Sequence, residues 1–91
     1  MIIKRTGICG SLESNDALVT INPAENGLHV SVDSIVKVQF GELIEKTVLE
    51  VLRDCNVCSA DVYIQDRGAL DCTIRARVET AIMRAETEGA E

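Results

Sequence analysis

A serine stands in a predicted tight turn of this sequence, within the stretch GSLESNDALVTI of residues 10–21. Ser14, Asn15 and Asp16 are residue types that favour turns, and they separate two runs of alternating apolar residues. A hydroxyl group in such a turn is accessible to a modifying enzyme without any unfolding of the chain. Ser14 is therefore either a plain turn residue or a group presented to another molecule, and composition alone favours the plain turn residue.

A hydrolytic role for Ser14 is not supported by its sequence context. A serine nucleophile needs a base beside it, and His29 is the only histidine in the chain. Acyl hydrolases usually carry the serine on a G-x-S-x-G turn, which is absent. Glu13 and Asp16 could act as paired carboxylates, but at an exposed turn nothing would desolvate them or shift their pKa values. We expect His29 to be exposed, and we predict no catalytic residue.

Two cysteines have a spacing that is used in redox and zinc sites. Cys55 and Cys58 form a C-x-x-C motif. A redox pair is expected at the start of a helix that follows a strand, whereas this pair follows the predicted end of a helix. Zinc would need two further ligands, and the candidates are scattered along the chain: Cys9, His29 and Cys72. We predict structural thiols and no metal site.

The charge balance narrows the class of partner. Fifteen acidic and nine basic side chains give a net charge of −6, which disfavours nucleic acid and anionic membranes as partners. Three arginines of the last predicted helix could bind a phosphate, but they alternate with acidic residues and are interpreted as a solvated flank: Arg75, Arg77 and Arg84. No apolar run approaches the roughly 20 residues of a membrane span, and the N-terminus does not resemble a secretory signal. We expect a soluble, cytoplasmic protein with reduced cysteines.

The elements that position Ser14 are predicted from the hydrophobic period. Residues 1–91 are expected to form a single domain. Alternation places Ile8, Gly10 and Leu12 on one face of a first strand and Ala17, Val19 and Ile21 on one face of a second, which predicts a hairpin around Ser14. The PAENG turn of residues 23–27 precedes a third strand, expected to be antiparallel, with a regular alternation of Leu28, Val30 and Val32.

The second half of the chain changes to a helical period. One apolar stripe ends near Arg53 and contains Val36, Phe40, Leu43, Ile44, Val48, Val51 and Leu52. A fourth strand is predicted over residues 60–65, and a last helix over residues 69–86 with a stripe of Leu70, Ile74, Val78, Ala81, Ile82 and Ala85. The order β-β-β-α-β-α predicts an α+β two-layer sandwich, in which two helices cover one face of an antiparallel-rich four-stranded sheet.

Three blocks of the sequence together resemble a known family. They are GSLESND at residues 10–16, VQFG at residues 38–41, and GALDC followed by RAR at residues 68–77. In composition and in spacing they resemble the acyl carrier protein, or gamma subunit, of citrate lyase, and the likeness extends over nearly the whole chain. The Cys55 and Cys58 pair departs from the usual members of that family.

The resemblance implies a role for Ser14. The matching serine of the family carries 2'-(5''-phosphoribosyl)-3'-dephospho-CoA through a phosphodiester, and its thiol holds the acetyl and citryl thioesters of citrate cleavage. The implied partners are the alpha and beta subunits of citrate lyase, which perform the chemistry, and the transferase that attaches the group. The chain itself would be a carrier and not an enzyme. We expect Glu13, Asn15 and Asp16 to contribute to recognition by the transferase.

Three alternative functions remain open at this point. The carrier of malonate decarboxylase is similar in scaffold and prosthetic group, although the Leu-Glu-Ser run and the GALDC and RAR blocks look more like the citrate lyase member. Citramalate lyase uses closely similar subunits. A protein-interaction module that uses the uncovered sheet face would need no prosthetic group at all.

Overall fold

The computed structural model describes residues 2–35 and 37–86, with only the backbone described for residues 37–40. The predicted order of elements is confirmed, with the bounds β1 (Gly7–Gly10), β2 (Ala17–Asn22), β3 (Leu28–Ser34), α1 (Lys37–Asp54), β4 (Ala60–Asp66) and α2 (Asp71–Glu86). The α+β class with one four-stranded sheet and two helices is also confirmed. Val36 and the side chain of Phe40, both assigned to the first helical stripe, lie outside the described part.

The third strand lies at a different place in the sheet from the one expected. The strand order is β1-β2-β4-β3, with β1 and β4 both antiparallel to β2, and β3 parallel to β4. The expectation of an antiparallel third strand is therefore wrong, and the sheet is mixed. The physical reason is the connection: β3 reaches β4 through α1, and parallel neighbours need a long, usually helical, crossover.

The hydrophobic core lies between the sheet and the two helices. α1 packs on β3, α2 packs on β1 and β2, and the helices contact each other. Aliphatic side chains fill this layer, and the largest fully buried apolar ones are Val19, Ile21, Val48, Leu52, Ile64, Val78 and Ile82. Burial of this aliphatic area is the main stabilising term for a chain of this size. Neither helix of the described chain is long and apolar enough to cross a bilayer.

The face of β1 that points inward is the opposite of the one its apolar residues indicated. Gly7 and Cys9 point to the core, whereas Ile8 is 50% exposed on the uncovered face. A Cβ atom at Gly7 would lie 2.2 Å from the Ala81 carbonyl oxygen, so α2 crosses the strand almost in backbone contact. The inward face of β1 therefore has no room for the large side chains that the alternation suggested.

Two leucines assigned to the buried helical stripes are exposed. Leu43 of α1 and Leu70, just before α2, expose 58% and 70% of their surface. α2 begins at Asp71, two residues later than predicted, so Leu70 belongs to the β4–α2 connection. Both leucines line one open groove instead of the core. The remaining predicted stripe residues from Ile44 to Leu52 and from Ile74 to Ala85 are buried.

Candidate functional site

The predicted Ser14 turn is present and comprises residues 13–16, which we call the Ser14 turn. It is closed by a hydrogen bond of 3.1 Å from the Asp16 amide to the Glu13 carbonyl. Asn15 has a φ of 66°, the left-handed conformation that asparagine tolerates better than most residues and that type II turns require at this position. A turn closed in this way has a defined backbone.

The Ser14 side chain is exposed and uncommitted. The residue is solvent-exposed, and its hydroxyl makes no hydrogen bond to any residue of the described ranges 2–35 and 37–86. By contrast, the neighbouring Ser11 hydroxyl donates to Asp16 Oδ2 at 2.7 Å and accepts from the Glu13 amide. The turn therefore uses Ser11 to hold itself together and leaves the Ser14 oxygen available to a partner.

The strand ends on either side of the Ser14 turn approach each other closely because of a glycine. Gly10 has a φ of 103°, and a Cβ atom there would lie 1.8 Å from the Ala17 carbonyl oxygen. Only glycine allows this conformation at this separation. The close approach holds the Ser14 turn compact at the end of the β1–β2 hairpin.

The Ser14 turn is also bonded to the residue that follows β4. The Asn15 amide donates to the Arg67 carbonyl at 2.7 Å, and the Arg67 amide donates to the Asp16 carbonyl at 2.9 Å. The Arg67 guanidinium in turn donates to the Asp66 carbonyl and, at 3.5 Å, to Asp33 Oδ2 at the end of β3. The two backbone bonds with Arg67 thus fix the Ser14 turn to the end of the β2–β4 pair.

The carboxylate of Asp16 is engaged inside the protein, contrary to the expectation that it is solvated. Only 17% of its side chain is exposed. Arg77 donates to it from Nε at 3.0 Å and from Nη2 at 3.2 Å. The Ser11 hydroxyl and the Ala17 amide also donate to it. These donors, Arg77 first, lower the pKa of Asp16 to about 2. The prediction of an unshifted, solvated carboxylate is therefore wrong.

The α2 arginines are at least partly solvated, as expected for a helix flank, but each of them also has a defined partner. Arg77 makes the bidentate contact with Asp16 across 61 positions of sequence. Arg75 binds Asp71, with the predicted i,i+4 spacing, and Glu50 of α1. Arg84 donates to the Ile8 carbonyl at 2.7 Å. No signal within a single sequence distinguishes Arg77 from Arg75, because their partners are set by the tertiary fold.

Apolar side chains surround the Ser14 turn on its open side. Leu12 lies just before it, and Ile35 lies within van der Waals distance of a Cβ atom built at Gly68, beside Asn15. Leu12 and Ile35 expose 52% and 69% of their surface. An open groove of about 360 Å³ runs from Gly68 between α1 and the start of α2, lined mainly by apolar side chains that include Leu43, Ala69 and Leu70.

The C-x-x-C motif is the end of a helix. The Val57 amide donates to the Leu52 carbonyl and the Asn56 amide to the Arg53 carbonyl, both at 2.9 Å, which is the pattern of a Schellman motif. Asn56 has the left-handed φ of 58° that this motif needs, and Val57 is buried. Cys55 and Cys58 are free thiols on either side of these two residues. The two cysteines therefore flank a helix cap.

Neither redox chemistry nor metal binding is favoured at the two cysteines. Burial, and after it the charges of Glu79 and Asp54, raise the pKa of Cys55, whereas a redox-active thiol has a lowered pKa. Within the described residues, no three His, Cys, Asp or Glu side chains lie together as a metal site requires. His29 is exposed, as expected, and its Nε2 lies 2.7 Å from the Asn26 carbonyl oxygen.

His29 lies far from Ser14. It pairs with Asp61 at the beginning of β4, whereas Ala17, next to the Ser14 turn, pairs with Asp66 at the end of the same strand. The histidine and the serine are therefore at opposite ends of the sheet. An exposed hydroxyl without a neighbouring imidazole, on a turn fixed to a small rigid sheet, suits an attachment point better than a nucleophile.

Comparisons with known protein families and sequences identify relatives of this chain. The family model described as "ACP: Malonate decarboxylase delta subunit (MdcD)" matches residues 4–85. The citrate lyase acyl carrier protein of Treponema denticola is 54% identical over 85 residues, which are 93% of this chain and 97% of that protein. The protein of the same name from Streptococcus mutans is 49% identical over 86 residues, 93% of this chain and 84% of that protein.

A solved structure shares the fold. A chain of a Pseudomonas malonate decarboxylase hetero-tetramer in complex with malonate superposes with a TM-score of 0.70, over 91% of this chain and 90% of that one. The sequence identity is 22%, so this likeness concerns the fold alone. These relatives define an acyl carrier protein, a subunit that carries acyl groups and does not itself catalyse their conversion. Within that class, the chain belongs to the family of citrate lyase acyl carrier proteins.

Proposed function

We propose that Ser14 is the residue to which the acyl-carrying prosthetic group is covalently attached. The observation that supports this most directly is the contrast within the Ser14 turn, where the amides of Asn15 and Asp16 are hydrogen-bonded while the exposed Ser14 hydroxyl has no partner among the described residues. A carrier needs an accessible anchor on a rigid body. Tethering then raises the effective concentration of the acyl group at each partner site.

The proposed group is 2'-(5''-phosphoribosyl)-3'-dephospho-CoA, joined to Ser14 by a phosphodiester. The chemistry of the anchor fits, because an uncommitted serine hydroxyl supplies the one oxygen that this linkage requires. The group supplies a terminal thiol that carries acyl units as thioesters during cleavage of citrate to acetate and oxaloacetate. The chain's own residues hold the anchor in place, and no imidazole lies near Ser14 to activate its hydroxyl.

The proposed partners follow from this division of work. The alpha and beta subunits of citrate lyase would perform acyl exchange and citryl cleavage, and a phosphoribosyl-dephospho-CoA transferase would attach the group. We further propose that Glu13, Asn15 and Asp16 contribute to recognition by the transferase, the first two as exposed side chains and Asp16 through the conformation of the Ser14 turn. A net charge of −6 favours partners with basic docking surfaces. The proposed place of action is the cytoplasm, where the free cysteines would remain thiols.

The test is the mass of the chain after production together with the transferase. We expect one large adduct per chain, mapped to the peptide that contains Ser14, and no adduct in Ser14→Ala. Ser31→Ala is the matched control, because Ser31 is an exposed serine of β3 away from the turn, and this variant should be modified like the wild type. A wild-type chain that stays unmodified with active transferase would contradict the proposal.

The carrier of malonate decarboxylase is the second candidate, favoured by the family model and by the structural relative. Citramalate lyase is the third candidate complex for this carrier. Reconstitution separates them: the modified chain is combined with the other subunits of each complex, and we expect activity only with those of citrate lyase. Activity with another set alone would reassign the carrier. Partner binding that is equal with and without the adduct would instead support a protein-interaction module.

A further inference from the structure

We propose that Arg77 of α2 is a positioning residue that, through Asp16, holds the Ser14 turn in the conformation in which the modifying enzyme receives it. This inference rests on the proposed modification of Ser14 and names a determinant of it that lies 63 positions away in sequence. The contact group formed by Ser11, Asp16 and Arg77 is called the Asp16 clamp below.

The Asp16 clamp joins three segments through one carboxylate. The Asp16 carboxylate accepts from Ser11 before the turn, from the Ala17 amide at the start of β2, and from both Nε and Nη2 of Arg77 on α2. Arginine presents two parallel donors in a fixed geometry, so the contact restricts orientation as well as distance. The contact thereby fixes the position of the Ser14 turn relative to α2.

The clamp restrains the Ser14 turn through a side chain, in addition to its backbone bonds. The Asn15 amide and the Asp16 carbonyl are bonded to Arg67 at the end of β4, while the Asp16 side chain reaches Arg77. Ser14 directly precedes these restrained residues, and its hydroxyl has no partner of its own among the described residues. Its hydroxyl is thus free while the backbone that carries it is fixed. A flexible turn would make the transferase bear the entropic cost of ordering it.

Arg75 provides a matched control on the same helix. It is 37% exposed and binds Asp71 and Glu50, while Arg77 is 38% exposed and binds Asp16. The two arginines are therefore similarly exposed and both form ion pairs, although Arg77 holds both oxygens of one carboxylate and Arg75 bridges two. The Arg75 pairs lie within α2 and between α2 and α1, whereas the Arg77 pair links α2 to the Ser14 turn.

The experiment compares Arg77→Gln, Arg77→Lys and Arg75→Gln with the wild type. The rate of adduct formation by the transferase is followed by intact mass at several carrier concentrations, at a temperature where thermal unfolding shows every variant to be folded. We expect kcat/KM to fall about tenfold for Arg77→Gln, the factor that corresponds to ordering roughly one residue. Arg77→Lys, which keeps the charge but loses the paired donors, should lie between, and Arg75→Gln should stay within about twofold.

Amide hydrogen exchange provides a second measurement that needs no transferase. Exchange at Asn15 and Asp16, whose amides are bonded within the turn region, should become faster in Arg77→Gln and remain unchanged in Arg75→Gln. This measurement decides the case if Arg77→Gln is too unstable for kinetics, because Arg77→Lys can be compared in its place. Unchanged exchange in both Arg77 variants overturns the inference.

A double-variant cycle distinguishes positioning from direct recognition of Asp16 by the transferase. If Asp16 and Arg77 act as one unit, Asp16→Asn combined with Arg77→Gln should slow modification no more than either change alone. Additive losses would assign Asp16 a direct contact and overturn the role of Arg77. The two proposals also fail separately: an unmodified wild type removes the proposed function, whereas equal rates in wild type and Arg77→Gln remove only the clamp.

Discussion

Two turns of this molecule look alike in sequence and serve different purposes. The Ser14 turn and the C-x-x-C turn of residues 55–58 each contain a left-handed asparagine, Asn15 with a φ of 66° and Asn56 with a φ of 58°. They lie at opposite ends of the sheet, because one adjoins the end of β4 and the other precedes its beginning. Each also carries side chains that are reactive in many proteins, a serine in one turn and a cysteine pair in the other.

The difference lies in what the surrounding structure does with the side chains. In the C-x-x-C turn the left-handed residue completes a helix cap, Val57 enters the core and the pKa of Cys55 is raised by burial. In the Ser14 turn the backbone and the Asp16 carboxylate are held by hydrogen bonds, whereas the Ser14 side chain is exposed and has no partner among the described residues. The two turns therefore differ in whether their reactive side chains belong to a structural cap or extend from a fixed backbone.

The largest expected effect is on the free energy of unfolding, and it compares one leucine next to each turn. Leu52 is fully buried next to the C-x-x-C turn, whereas Leu12 beside the Ser14 turn is 52% exposed. Leu52→Ala should lower the free energy of unfolding by about 3 kcal/mol, since it removes buried methyl groups and leaves a cavity. Leu12→Ala should change it by less than about 0.5 kcal/mol. Urea denaturation checks both, and equal losses would mean that the Ser14 turn is part of the core.

A smaller effect is expected at the two asparagines. Alanine in the left-handed conformation costs about 1 kcal/mol, so Asn15→Ala and Asn56→Ala should be destabilised to a similar degree, while glycine should be tolerated at both positions. Only Asn15→Ala should also slow the modification of Ser14. The measurements are chemical denaturation and adduct mass. If Asn56→Ala slowed modification equally, the functional difference between the turns would disappear.

The acid side of the stability curve should report Asp16. Its folded pKa of about 2 lies below the ordinary value of 3.8, so the ionised form stabilises the fold. That contribution is fully present above about pH 4 and is lost as the pH falls through about 2. Because Arg77 is more than a third exposed, solvent screening limits it to no more than about 1 kcal/mol.

The corresponding measurement compares wild type with Asp16→Asn by denaturation at several pH values. The wild type should be more stable above about pH 4, and the two curves should converge as the pH approaches about 2. A difference that stayed constant over this range would show that the Asp16 carboxylate does not titrate with a lowered pKa.

The smallest effect is expected at the thiols. Cys58 is exposed, while Cys55 is partly buried with a raised pKa, so alkylation at neutral pH should label Cys58 several times faster than Cys55. Cys55→Ser and Cys58→Ser should both leave adduct formation on Ser14 unchanged. Mass mapping after brief alkylation checks the first expectation. Rapid labelling of Cys55 would restore a chemical role for the pair.

The local features of this fold were predictable, and the long-range ones were less so. The alternation of Ala17, Val19 and Ile21 and the helical stripe of Ile74, Val78 and Ile82 reflect burial on one face, and all six residues are buried. The place of β3 was missed because pairing partners are chosen across the whole chain. The helical connection from β3 to β4 nevertheless contained the signal for a parallel pair.

The candidate site shows the same difference between local features, which were predictable, and long-range contacts, which were not. The turn around Ser14 and its exposure are local, and turn chemistry predicted them. The partner of Asp16 was not predictable, because Arg77 comes to it only once α2 has packed against β1. The inward face of β1 was misassigned for a related reason, as the near contact of Gly7 with Ala81 reverses the preference that the apolar Ile8 indicated.

The path of α2 along β1 has a practical consequence. Near the middle of α2 Arg77 contacts the Ser14 turn, and near its end the Ala85 carbonyl accepts from the amides of Lys4 and Arg5. The segment before β1 and the last turn of the helix therefore meet at the far end of the molecule from the serine. A fluorophore or a surface linkage introduced there would leave the Ser14 turn facing solution, so that the proposed modification and partner binding could be followed on single, immobilised molecules.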